Sequence, residues 1–100
     1  PIKNIDEKYW PVFPLKKNNF YINFGFWGIV KTPKTHNYYD RLVEQKILEL
    51  SGLKSLYSSS YYTETEFWNL YGGEYYWKLK NKYDSENRFR NLYEKTVKGK

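Results

Sequence analysis

The sequence predicts a single small α+β domain in the order strand, helix, strand, helix, one half of a ferredoxin-like sandwich. Three observations carry that expectation. Residues Phe20 to Val30 alternate β-forming side chains between two faces, apolar residues from Tyr39 to Leu50 recur at three- and four-residue spacing, and Thr63-Glu64-Thr65-Glu66 is a capping box that opens a second helix. A chain of 100 residues is the size of one domain and buries one modest core.

Residues 1–18 carry Pro1, Pro11 and Pro14 with little periodicity, so they are expected to form an extended lead-in that Trp10, Val12, Phe13 and Leu15 anchor to the core. The body of the domain is expected over residues 19–97, with a basic tail at 98–100. In the first strand Phe20, Ile22, Phe24 and Phe26 share one face, Tyr21, Asn23 and Trp27 the other, and Gly25 and Gly28 remove side chains as at a bulge. Asn37 is placed to cap the first helix, with Asp40 favouring its positive end; Tyr39, Leu42, Val43, Ile47 and Leu50 supply the apolar stripe, and Gly52 suits a left-handed C-terminal cap.

Leu53 to Tyr61 reads as the second strand, despite its serine run. The helical pattern that starts at Thr63 is broken by Gly72-Gly73, which predicts two short helices or one kinked one. Asp84 to Asn87 is a turn, Phe89 an anchor beyond it, and Leu92, Tyr93 and Val97 an apolar tail. Two strands joined by a helix lie parallel with a right-handed crossover. A two-stranded sheet is marginal, so further strands are expected from residues 1–18, from a second copy or from the remainder of a longer parent.

Aromatic residues make up 22% of the chain against 40% for all apolar types, so the core has to be built largely from rings. The absence of Cys removes disulfides and thiolate metal sites, and a lone His36 with no carboxylate at ligand spacing argues against nitrogen ligation. No glycine-rich phosphate loop occurs, because Gly25-Phe26-Trp27-Gly28 lies within a strand and does not open a helix. Glu66 is accounted for by the capping box, and nothing pairs Glu64 or Glu74 for acid–base work. No apolar run approaches a membrane span, and no signal segment is visible. The start at Pro1 and the lack of Met point to a fragment or a processed product. A net charge of +6, interleaved with aromatics, leaves open a basic module that binds nucleic acid or acts as an interaction domain.

The order of short motifs is more specific than the composition. Tyr21-Ile22-Asn23-Phe24-Gly25-Phe26-Trp27-Gly28 is followed by Glu44-Gln45-Lys46, then Gly52 with Leu56-Tyr57, then Glu66-Phe67-Trp68, and last Tyr83-Asp84 with Arg88-Phe89 and Leu92-Tyr93-Glu94-Lys95. Over roughly residues 10 to 97 this is similar to the carboxy-terminal region of FAD-linked oxidases of the vanillyl-alcohol-oxidase superfamily, in the branch that resembles delta-24 sterol reductases. The resemblance implies a cap-domain fragment whose parent binds FAD through a preceding domain and acts on an apolar or lipid-like substrate. By itself the fragment is expected to be inactive, to retain no FAD, and to self-associate or expose an aromatic patch. Tyr57 matches a position that commonly carries an aromatic hydroxyl near the flavin. Ser60 stands where several relatives, such as sugar-lactone oxidases, hold a Lys, and Asn91 ends the closing Asp-(Pro)-x-x-x-Phe-x-Asn pattern, here Asp84, Phe89 and Asn91 with Ser85 in place of Pro. If Tyr57 and Ser60 serve one site, period-two alternation requires the strand to bulge or end between them.

Overall fold

The computed structural model describes residues 2–3 and 10–99, and the elements they form are mainly helical. Helix α1 spans Tyr38–Glu49, α2 Glu64–Leu70 and α3 Gly73–Tyr83, and the chain ends in a π-helical turn over Glu94–Lys98. Among the described residues, strand pairing is confined to β1 (Ile2–Lys3) and β2 (Phe20–Tyr21), antiparallel, with Ile2 opposite Tyr21 and Lys3 opposite Phe20. The expected β-α-β-α half of a ferredoxin-like sandwich is therefore not formed. No parallel crossover joins the described elements.

Both strand expectations fail for identifiable reasons. Past Tyr21 the residues remain irregular, and no hydrogen bond ties the backbone of residues 22–31 to another described residue. Residues 53–61 do not form a strand because side chains answer the backbone groups that a neighbouring strand would have taken. Tyr71 donates its hydroxyl to the Lys54 carbonyl at 2.7 Å, Lys54 donates to the Ser59 carbonyl, Arg41 donates to the Tyr61 carbonyl at 2.9 Å, and the Tyr61 N–H goes to Glu44 at 3.0 Å.

Helix α1 begins beside Asn37 as expected, but the Asn37 side chain makes no cap bond. Its far end closes through paired bonds from Ser51 N–H to the Leu48 carbonyl and from Gly52 N–H to the Ile47 carbonyl. The left-handed residue there is Ser51, not Gly52. The capping box of α2 is complete, with Thr63 accepting from the Glu66 amide and Glu66 accepting from the Thr63 amide. Gly72, in the left-handed region, separates α2 from α3 as two short helices.

The core is a ring cluster of Tyr62, Phe67, Tyr71 and Tyr93, flanked by Leu48, Leu53, Leu56, Trp68, Leu70, Leu92 and Val97. Phe67 is central, its ring 4.8 Å from Tyr71 and 5.4 Å from Tyr93, the latter edge-on as the ring quadrupoles favour. Val12 and Leu15 of the lead-in are half-buried and Phe13 stacks on Tyr71, whereas Trp10 is exposed. Residues 1 and 4–9 of that lead-in, and residue 100 of the basic tail, lie outside the described set. Phe89 is also exposed, so it anchors through its backbone, not its ring.

Asp84 organises that turn. Its carboxylate accepts from the amides of Arg88 and Phe89 and pairs with buried Lys80, which also donates to the Phe89 carbonyl. The Lys80 hydrogen bond, joined by those amides and opposed by burial, holds the Asp84 carboxyl below its ordinary range. Because the folded value lies below the unfolded one, the stabilisation is present at neutral pH and is lost as pH falls through the folded value. Asp84→Asn is accordingly expected to destabilise the chain more at pH 7 than at pH 3, where the loss that begins below the ordinary carboxyl value of about 4 is under way. Urea midpoints at the two pH values measure it, and an equal loss at both would remove the charge from the explanation.

Candidate functional site

Residues on α1, on the 53–61 loop and on α2 meet in an ion cluster that the sequence pattern did not reveal. Glu44, fully buried, accepts from Arg41 at 3.0 Å, from Lys54 at 2.9 Å and from the Tyr61 amide. Arg41 extends to Glu66 at 3.2 Å, so the capping residue of α2 also ties that helix to α1. Burial opposes the Arg41 charge, but hydrogen bonds to Glu66 and Glu44 outweigh it and raise its pKa. Glu66 is held below its usual range first by the Thr63 amide, against burial, and then by Arg41. With every carboxylate oxygen engaged, the cluster is a brace that shapes the 53–61 loop and has no vacant acid or base. Among the core tyrosines, burial pushes Tyr62 up to about 12 and Tyr71 further, so neither hydroxyl is a proton acceptor near neutral pH.

The three residues singled out by resemblance sit in different environments. Tyr57, at the tip of the 56–58 turn, is 87% exposed, whereas Ser60 of the same loop is fully buried. The turn lies between them and in place of a strand. Asn91 is half-buried and caps the C-terminal helical turn: its side-chain oxygen accepts from the Glu94 amide at 2.8 Å, and its own amide donates to Glu94 at 3.0 Å. His36 lies in the turn before α1, its ring edge-on to Tyr61 at 5.9 Å.

A second surface is defined by exposure. Ile22, Phe24, Phe26, Trp27, Ile29 and Val30 all face solvent, with Trp27 at 87% and Ile29 at 99%. Gly28, at φ 148°, interrupts the alternation after Trp27 with a backbone conformation that side-chain-bearing residues avoid. Among the described residues no group of His, Cys, Asp and Glu is arranged to hold a metal, and no helix is long and apolar enough to cross a membrane. Compared with protein-family models, curated proteins and solved structures, the chain matches none of them.

Proposed function

We propose that these residues form a carboxy-terminal cap piece of an FAD-dependent oxidoreductase acting on an apolar or lipid-like substrate. The reading is supported by the ordered motifs from Tyr21 to Lys95, and the observation that carries it furthest is the exposed apolar stretch 22–30. Contiguous aromatic and aliphatic side chains of this kind mark a surface that works against another protein body. In this reading a flavin-binding domain of the same parent supplies the phosphate cradle, and the cap piece helps to exclude water over the ring. The exposure of Tyr57 supports the reading that it reaches a flavin, while buried Ser60 and capping Asn91 shape the loop and tail.

The test uses a longer polypeptide that contains these residues. It is expected to purify yellow, and Tyr57→Phe is expected to slow flavin reduction or reoxidation by roughly 10- to 1,000-fold while the melting temperature stays put, the range that loss of one transition-state hydrogen bond covers. The 100-residue chain alone is expected to retain no FAD. A colourless parent that takes up no flavin, or a Tyr57→Phe variant with unchanged turnover, would refute the reading.

A further inference from the structure

The outer face of α3 carries Tyr75, Leu79 and Tyr83 at four-residue spacing, all exposed, with Lys78 and Lys82 set among them. The two ammonium groups stand over rings, Lys78 at 5.6 Å from the Tyr75 centroid and Lys82 at 5.1 Å from that of Tyr83. Past the Asp84 turn comes a third exposed ring, Phe89, with Arg88 before it and Arg90 after it. Phe89 and Tyr83 line one open cavity of about 250 Å³, together with Ser85, Glu86 and Arg88. We propose that this face binds single-stranded nucleic acid, with a base held in the cavity against Tyr83 and Phe89 and the neighbouring phosphates met by Lys82 and Arg90. The inference uses none of residues 22–30 and does not require the flavin reading.

The interleaving of rings and cations selects the occupant. Every base has a face that stacks on a single ring, and the phosphates between bases call for cations close by. A protein partner favours a patch whose centre is poor in lysine, and a bilayer favours an apolar face with its cations on the opposite side. Neither condition is met where Lys78 and Lys82 stand over the rings themselves. The long lysine stem lets the ammonium swing aside for a base and stay beside the strand. Charge agrees with this choice. Glu74 is paired with Lys78 at 2.8 Å, Glu86 with Arg88 at 2.7 Å and Asp84 with Lys80. Lys82 and Arg90, both exposed, have no acidic partner among the described residues and remain for phosphate. The cavity wall is also preformed. Asp84 accepts from the Arg88 and Phe89 amides at 2.8 and 3.1 Å and Lys80 donates to the Phe89 carbonyl, so the backbone that presents the Phe89 ring is ordered before any ligand arrives. Rings that project in this way reach unpaired bases and not the stacked interior of a duplex.

Fluorescence anisotropy tests the proposal on the intact 100-residue chain. The probe is a labelled oligothymidylate of roughly 12 nucleotides, within the site size of a small single-strand-binding domain, and the competitors are a DNA duplex of the same length and polyglutamate. The single strand is expected to bind and to be displaced poorly by either competitor. Tyr83→Ala and Phe89→Ala are each expected to weaken binding by roughly 5- to 150-fold, the range covered by one lost stacked base. Lys82→Ala and Arg90→Ala are each expected to flatten the slope of log affinity against log salt by about 0.7, the share of one phosphate contact on a single strand. All four side chains are exposed, so urea midpoints are expected to stay with the parent. No binding up to about 0.1 mM chain, the weak end of sequence-independent binding, full affinity in both ring variants, or equal binding of duplex or polyglutamate would each overturn the assignment.

Discussion

Glu44→Ala is expected to destabilise the chain by about 3 to 5 kcal/mol, the cost of removing one partner from a buried ion cluster, which is a large part of a small domain's stability. The carboxylate has no contact with solvent and serves three donors at once: Arg41, Lys54 and the Tyr61 amide. Truncation leaves the Lys54 ammonium, 12% exposed, facing Arg41 without counter-charge, and it leaves the Tyr61 amide unanswered. Arg41 loses less, because its side chain is 26% exposed and keeps Glu66. Glu44→Gln keeps the shape and still accepts one or two of the donors, so a smaller loss of about 1 to 3 kcal/mol is expected. Urea unfolding followed by circular dichroism separates the two variants. A Glu44→Ala chain within about 0.5 kcal/mol of the parent, the scatter of ordinary surface changes, would mean that something other than this cluster orders residues 54–61.

The same cluster explains which parts of the fold were legible in the sequence. Thr63 and Glu66, the break at Gly72-Gly73 and the Asp84 turn were readable because each is decided within a few residues, by bonds between a side chain and a nearby amide at Thr63, Glu66 and Asp84 and by the left-handed backbone of Gly72. The strands were not, because a strand exists only when a distant edge answers it. For residues 53–61 the answer comes from Arg41 and Glu44 on α1 and from Tyr71 at the end of α2, which no periodicity in the segment itself reveals. The apolar stripe from Tyr39 to Leu50 predicts Leu42 and Leu50 against the core, yet both are exposed, while the residue that goes fully inside is Glu44. The available signal was the Arg41–Glu44 spacing of three with Lys54 following in the next segment, a pattern that equally describes a solvated helix face. The sequence pattern assigns Tyr57 to a strand, whereas it stands at a turn, and Asn91, which the resemblance points to, has an immediate local role as a cap.

Gly72→Val is the other substitution from which a large loss is expected, and it reports on how the lead-in is held. Gly72 adopts φ 62° between α2 and α3, a conformation that costs an L-residue about 1 to 2 kcal/mol, and a β-branched side chain is among the worst suited to it. Space compounds the strain. A Cβ there would fall on the Pro11 carbonyl oxygen, 2.7 Å from the Pro11 carbonyl carbon and 3.2 Å from the Val12 Cα, and backbone atoms cannot turn aside as a side-chain tip can. The helical hairpin must distort or residues 11–13 must lift away, taking Phe13 off the Tyr71 ring, with which it stacks at 6.3 Å. We expect the lead-in to yield first, since α2 and α3 are fastened by the Phe67, Tyr71 and Trp68 contacts, whereas Phe13 is held on one side. Limited proteolysis should then cut between residues 10 and 18 in Gly72→Val under conditions that leave the parent whole, with a lowered urea midpoint. Gly72→Ala is expected to show the same cleavage to a smaller degree. A Gly72→Val chain that resists the protease and melts with the parent would mean that residues 11–13 do not pack on the α2–α3 turn in solution.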